Sequence, residues 1–238
     1  MSTPTTSVAF HTMGCKTNFS ETSTISRQMM AHGLQQVRFR DKADVYVLNS
    51  CSVTENADKE ARKLIRQARR RNPDAAIAVI GCYAQLQPAE IAAIPGVDLV
   101  VGAAEKFNLF SHISSLKANG KATVIQSPIE TVQSFQPSFS AAERTRTYLK
   151  IQDGCDYNCS FCTIPLARGC SRSDNIANTV NIAQQIAATE AREIVLTGVN
   201  IGDYGTSGDE NLFQLIQALD NVDGIDRFRI SSIEPNLL

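Results

Sequence analysis

Four runs of the chain are short, almost wholly apolar and rich in β-branched residues: Val8-Ala9-Phe10, Val45-Tyr46-Val47-Leu48, Ala76-Ile77-Ala78-Val79-Ile80 and Leu99-Val100-Val101. Each is too short for a helix and lacks the polar alternation of a half-exposed strand, so each reads as a strand buried on both faces. Between them lie amphipathic segments. The clearest is Ala57 to Arg71, where Ala61, Leu64, Ile65 and Ala68 recur at i, i+3, i+4 and i+7. Strands alternating with such helices predict a parallel α/β sheet.

A second series begins at Tyr148-Leu149-Lys150-Ile151-Gln152. It continues through a helix with Ile176, Val180, Ala183, Ile186 and Ala187 on one face, a strand at 193–197, a helix presenting Leu212, Leu215, Ile216 and Leu219, and a strand at 227–231. That is a βαβαβ pattern, for which right-handed crossovers are expected. The stretch from about Ser127 to Arg146 is rich in Ser, Thr, Gln and Pro without sustained periodicity and reads as a linker. The expected division is an N-terminal domain over 1–130, a linker over 131–146 and a second domain over 147–238. Because the sequence stops just after a strand, and three parallel strands with an open edge make a poor finished domain, it is expected to be part of a longer protein.

At 238 residues and 43% hydrophobic content the chain can bury real cores in one or two domains. A formal net charge of −1 excludes a global positive field for a polyanion, so any nucleic-acid contact must come from local patches. The N-terminus lacks the basic start and apolar run of a signal peptide, and no stretch approaches the ~20 apolar residues of a membrane helix. A cytoplasmic protein with no membrane contact is expected. Seven cysteines then argue against disulfides, because the cytosol is reducing and an odd number cannot pair completely. Metal or redox chemistry is the leading use for them.

Three of these cysteines, Cys155, Cys159 and Cys162, follow directly on the first strand of the second series, at the carboxyl edge where α/β folds place their sites. A cuboidal 4Fe-4S cluster usually takes four thiolates, so three on a tight loop leave one iron open to another molecule. The competing reading is a four-cysteine zinc site completed by Cys170. Structural zinc usually pairs its ligands in two short knuckles, which this spacing does not provide. Otherwise Cys170 reads as a small buried hydrophobe.

Cys15, Cys51 and Cys82 each come at the end of a strand segment of the first series. Singly, each reads as a buried apolar cysteine. Together they leave carboxyl ends of strands in one sheet and so predict a second cluster site, with Gly14 and Gly81 supplying tight turns ahead of two of them.

The spacing C-x3-C-x2-C, with Phe161 before the last cysteine, resembles the signature of the radical S-adenosylmethionine superfamily. With the motifs around Cys15, Cys51 and Cys82, the sequence resembles the methylthiotransferase family of that superfamily across essentially its whole length. The resemblance implies an α/β fold, with an N-terminal parallel-sheet methylthiotransferase domain followed by the first part of a partial (β/α) barrel. It implies two 4Fe-4S clusters, one on Cys155, Cys159 and Cys162 and an auxiliary one on Cys15, Cys51 and Cys82 that carries the sulfur. S-adenosylmethionine would bind the open iron of the first, and its reductive cleavage would give a 5′-deoxyadenosyl radical.

Phe161, Thr197, Gly198 and Asn200 are the implied cofactor contacts, and Cys155, Cys159 and Cys162 the catalytic set. An electron donor of flavodoxin or ferredoxin type is the implied partner; oligomeric state carries no sequence signal. The segments 196–205 and 231–235 look most like the branch that methylthiolates N6-threonylcarbamoyladenosine beside the tRNA anticodon. Sister branches act on isopentenyl-adenosine of tRNA or an aspartate of a ribosomal protein. The family's further barrel strands and RNA-binding β-domain are absent from the sequence, and Cys170 is unusual for the family, which keeps the zinc reading alive.

Two non-enzymatic alternatives remain: an iron-sulfur electron carrier and a zinc-stabilised nucleic-acid-binding module. Lys59, Arg62, Lys63, Arg66, Arg69, Arg70 and Arg71 crowd one helix, either as a solvated face or as an RNA-phosphate contact. Arg168-Gly169 matches the family's Arg-Gly, with Arg172 as a further positive group nearby.

Overall fold

The computed structural model describes residues 6–51, 55–116, 121–140, 146–206, 208–234 and 237, with the side chains of 55–58 left aside. Ser52, Val53 and Thr54 of the second cysteine motif, and Pro235, Asn236 and Leu238 near the end of the sequence, lie outside the described residues. The chain divides into two compact units, Met1–Asn18 with Ile25–Thr131, and Phe19–Thr24 with Val132–Leu238.

The first unit contains β1 (Ser7–Thr12), α1 (Lys16–Ala31), β2 (Gln35–Val37), β3 (Val45–Ser50), α2 (Glu55–Arg71), β4 (Ala76–Gly81), α3 (Cys82–Leu86), α4 (Pro88–Ala92), β5 (Leu99–Val101), α5 (Leu109–Ser114) and β6 (Thr123–Ile125), residues 19–24 of α1 being counted with the second unit. Its six strands are all parallel, in the order β2-β1-β3-β4-β5-β6. The central strand β3 is buried at every position. Its side chains alternate between two cores: Tyr46 and Leu48 pack with Ala61, Ile65, Ala68 and Ile91 on one side, and Val45 and Val47 pack with Ile25, Met29 and Leu109 on the other. Burial on both faces is what an uninterrupted apolar run requires, and helices satisfy it on each side. The three-residue strands β2 and β6 were not expected: Gln35-Gln36-Val37 and Thr123-Val124-Ile125 sit at the edges, partly exposed, and have no apolar run to announce them.

The second unit contains β7 (Ser138–Phe139), β8 (Arg146–Lys150), β9 (Gln152–Asp153), α6 (Ile164–Arg168), β10 (Arg172–Ser173), α7 (Ile176–Ala187), β11 (Glu193–Thr197), α8 (Leu212–Leu219) and β12 (Arg227–Ile230). Its main sheet runs β12-β11-β8-β7, parallel except for β7. Ala183 and Ile186 of α7 and Leu215 and Leu219 of α8 pack with Leu149, Ile194 and Leu196 from the sheet. Both helices start on a side-chain cap: Asn175 Oδ1 accepts from Asn178 N, and Asn211 and Gln214 form a reciprocal capping box. Such caps contribute about 1 kcal/mol each.

Two expectations need amendment. The strand read as continuous over 148–152 breaks at Ile151, after which Gln152–Asp153 turns to pair antiparallel with Arg172–Ser173. Moreover, Ser138–Phe139, inside the stretch read as a linker, pairs with β8 at the end of the sheet opposite β12. Two residues are too few to show a period.

Gly81 sits at φ +96°, and a Cβ there would lie 2.4 Å from both Asn49 Oδ1 and the Ser50 carbonyl oxygen. Gly81→Ala therefore combines a left-handed backbone with a clash against main chain, and is expected to lower stability by about 2–3 kcal/mol in urea titration.

Candidate functional site

Cys15, Cys51 and Cys82 leave the carboxyl ends of β1, β3 and β4, which are adjacent strands in one parallel sheet. The register pairs Thr12 with Asn49 and Ser50 with Gly81, so Cys51 and Cys82 are the next residues on neighbouring strands. The loop carrying Cys15 lies against Cys51: a Cβ on Gly14, itself at φ +92°, would stand 2.9 Å from Cys51 Sγ. Asn18, fully buried, locks this arrangement by donating from Nδ2 to the carbonyls of Met13 (3.0 Å) and Ser50 (3.2 Å). Asn18 follows closely on Cys15, but no sequence pattern gives it this role. Cys51 and Cys82 are buried and Cys15 is exposed.

In the second unit Cys155 and Cys162 are half-buried and Cys159 is exposed. The loop is tight: Cys162 N donates to the Cys159 carbonyl at 3.1 Å, and Cys155 N donates to the Gly169 carbonyl at 3.0 Å. Gly154 precedes it at φ +75°, where a Cβ would fall 2.0 Å from the Cys170 carbonyl oxygen, so no other residue type fits. Burial pushes the Cys155 thiol up from its ordinary range; a hydrogen bond from the Tyr157 backbone opposes this, while Asp203, Cys162 and Cys159 add to it. Asp203 is itself raised by burial first and by Asp156 next, against a stabilising hydrogen bond from Asn200.

Among the described residues, no three His, Cys, Asp or Glu side chains surround a position for a single metal ion. A cuboidal cluster asks for a different arrangement, since each thiolate binds a different iron. Three cysteines held on one tight loop would, as thiolates, repel one another and the nearby Asp203, and a cationic iron group would neutralise that charge, so the residues present fit it. Cys170, expected as a buried hydrophobe, is exposed instead. Its backbone is what the site uses, the carbonyl accepting from Arg172 Nη1 at 2.9 Å.

Gln152, fully buried, is the residue that ties the cysteine loop to the turn at 197–200, and nothing in its sequence context marks it out. Its Nε2 donates to the Gly154 carbonyl (2.8 Å) and Ser171 Oγ (2.9 Å), and its Oε1 accepts from the backbone N–H groups of Val199 and Asn200, each at 2.9 Å. A Cβ on Gly198 would lie 2.8 Å from that Oε1, which accounts for glycine there. Thr197 is buried, and Asn200 spends its side chain within the fold, donating to Asp203 Oδ2 and accepting from Glu234 N. Phe161 projects outward, 89% exposed.

Beneath the loop lies a buried ionic network. Lys150 Nζ meets Glu21 Oε1 at 2.9 Å and Asp153 Oδ2 at 3.4 Å; Arg168 Nη1 meets Glu21 Oε1 at 3.1 Å and Asp153 Oδ1 at 2.7 Å; Arg172 Nη2 reaches Asp153 Oδ2 at 3.3 Å. Arg168 is thus a structural clamp at the base of the cysteine loop. A lysine set between Leu149 and Ile151 in an apolar run is the sequence signal for this network.

Residues 7–102 match the family described as "Uncharacterized protein family UPF0004". The chain is 44% identical over 234 residues to the threonylcarbamoyladenosine tRNA methylthiotransferase MtaB of Bacillus subtilis, covering 95% of the chain and 51% of that protein. Over the part of those proteins that it spans, the chain is similar to methylthiotransferases.

Another relative, the tRNA-2-methylthio-N(6)-dimethylallyladenosine synthase of Roseobacter denitrificans, is 32% identical, covering 94% of the chain and 53% of that protein. The chain spans about half the length of the curated relatives it matches. In fold it is similar to the radical S-adenosylmethionine methyltransferase TsrM from Kitasatospora setae, solved with cobalamin and a [4Fe-4S] cluster, with a TM-score of 0.56 and 13% identity, covering 92% of this chain and 51% of that one.

Breaking a buried ion pair strands the partner charge, so Lys150→Met is expected to lower stability by about 3 kcal/mol, read from the shift in urea midpoint.

Proposed function

We propose that the chain is the catalytic part of a radical S-adenosylmethionine methylthiotransferase that adds a methylthio group to C2 of N6-threonylcarbamoyladenosine beside the anticodon of tRNA. In this reading residues 1–130 carry an auxiliary 4Fe-4S cluster on Cys15, Cys51 and Cys82, residues 131–146 link, and residues 147–238 carry a second 4Fe-4S cluster on Cys155, Cys159 and Cys162. The observation that supports it most is the pairing of β1, β3 and β4, whose adjoining carboxyl ends each deliver one cysteine.

When bound, the two clusters supply, respectively, sulfur for transfer and the electron that splits S-adenosylmethionine. The protein's own part is to hold and orient. The Gly154 turn and the Cys155–Gly169 hydrogen bond present three thiolates from one loop. Gln152 sets the 197–200 turn against that loop, so that the backbone at Gly198 can approach a cofactor closely. The exposed Phe161 ring offers a face for stacking on the cofactor. The reductant is a flavodoxin- or ferredoxin-type donor, and the setting is the cytoplasm; among the described residues no helix is long and apolar enough to cross a membrane.

The higher identity to the threonylcarbamoyladenosine-named relative than to the dimethylallyladenosine-named one favours the first substrate over the second. Anaerobic reconstitution is expected to load about eight irons per chain, and about four in a Cys155→Ala variant, which should also release no 5′-deoxyadenosine under strong reductant. About four irons in the unaltered chain would sink the two-cluster reading. Mass spectrometry of nucleosides from tRNA of cells lacking the gene should show threonylcarbamoyladenosine without its methylthio group; unchanged methylthiolation would rule out this substrate.

A further inference from the structure

The seven basic residues of α2 are not equivalent. Arg62 pairs with Glu90; Arg69 donates to the carbonyls of Ala75 and Gly96 and to Asp98 Oδ2; Arg71 lies over the Phe39 ring at 5.8 Å. These three are fastened to the first unit. Lys59, Lys63, Arg66 and Arg70 are all exposed, and among the described residues none of their side chains has a hydrogen-bond or ion-pair partner. Their spacing, i, i+4, i+7 and i+11, sets them in one row along a single helix face. At 1.5 Å per residue the row is about 16 Å long.

We infer that this row is a docking strip for the phosphate backbone of the RNA substrate. The inference deepens the tRNA reading above and rests on it. A protein partner would be expected to engage apolar or aromatic anchors at the centre of its interface. The large exposed apolar side chains, Phe161, Phe213 and Leu166 among them, lie on other elements, and the described side chains of α2 include none. A rigid row of evenly spaced cations without such anchors fits a ligand recognised by repeating charge alone, which is how phosphate groups position a protein on nucleic acid without revealing the sequence. Since the chain as a whole has a net charge of −1, the attraction is confined to the strip. It falls off within about 10 Å at moderate salt.

The test is tRNA binding by fluorescence anisotropy of the unaltered chain and the K59Q/K63Q/R66Q/R70Q variant, from about 50 to 200 mM salt. Neutralising four phosphate-facing cations should shrink the slope of log affinity against log salt by about 3 and weaken binding by about tenfold or more at the lower salt. The charge-keeping variant K59R/K63R/R66K/R70K should retain both, as should K42Q, which removes an exposed cation elsewhere. An unchanged slope in the glutamine variant, or no tRNA binding by the unaltered chain, overturns the inference. So does retained tRNA binding with failure to bind an acidic ferredoxin-type donor, which would make the strip a protein-docking surface. Methylthiolation of tRNA in cells is read independently, so its failure would remove the substrate assignment while a salt slope carried by these four cations stood.

Discussion

In a parallel sheet successive strands run the same way and leave by the same edge, and a central strand is covered on both faces. The first unit depends on this constraint. β3 pairs with β1 on one side and β4 on the other, and its six buried residues leave the register no freedom to slip, since a shift by one would exchange the Tyr46–Leu48 core for the Val45–Val47 core. Once that register is set, Cys51 emerges between the ends of the strands that deliver Cys15 and Cys82. The site's composition follows from strand order.

The second unit reaches a similar end by a different device. Its cysteines come from one loop, so the sheet supplies a platform and the loop's shape is imposed by polar contacts. Gln152 spans from the Gly154 carbonyl to the backbone of Val199 and Asn200, and the Glu21, Lys150, Asp153 and Arg168 network fills the space beneath. A buried carboxylate or ammonium is costly unless paired, so such a network specifies one arrangement more sharply than an apolar filling would have to. Cys155 and Asp203 are both raised, by burial before any neighbouring charge.

Much of the fold was legible from periodicity. The runs at 45–48 and 76–80, the amphipathic face of Ala61, Leu64, Ile65 and Ala68, and the strand at 193–197 all appear where the pattern puts them, because continuous apolar runs and helical spacing are local records of burial. The three-residue edge strands and Ser138–Phe139 were not legible. Their pairing is decided by a neighbour and leaves no period of its own. Cys170 departs from expectation for a related reason: its side chain is exposed, and what the loop uses is its carbonyl, a group every residue shares.

The sequence by itself determined the cysteine spacing, the parallel α/β class and the resemblance to methylthiotransferases, because ligand type and burial pattern are written in residue identity. Only the tertiary structure decided that β1, β3 and β4 are neighbours, that Gln152 reaches backbone groups 47 and 48 residues further along the chain, and which four of seven basic residues on α2 have exposed side chains with no partner among the described residues. Those are facts of juxtaposition. They depend on strand order and on which partners lie within hydrogen-bond reach, and no local pattern of residues encodes either.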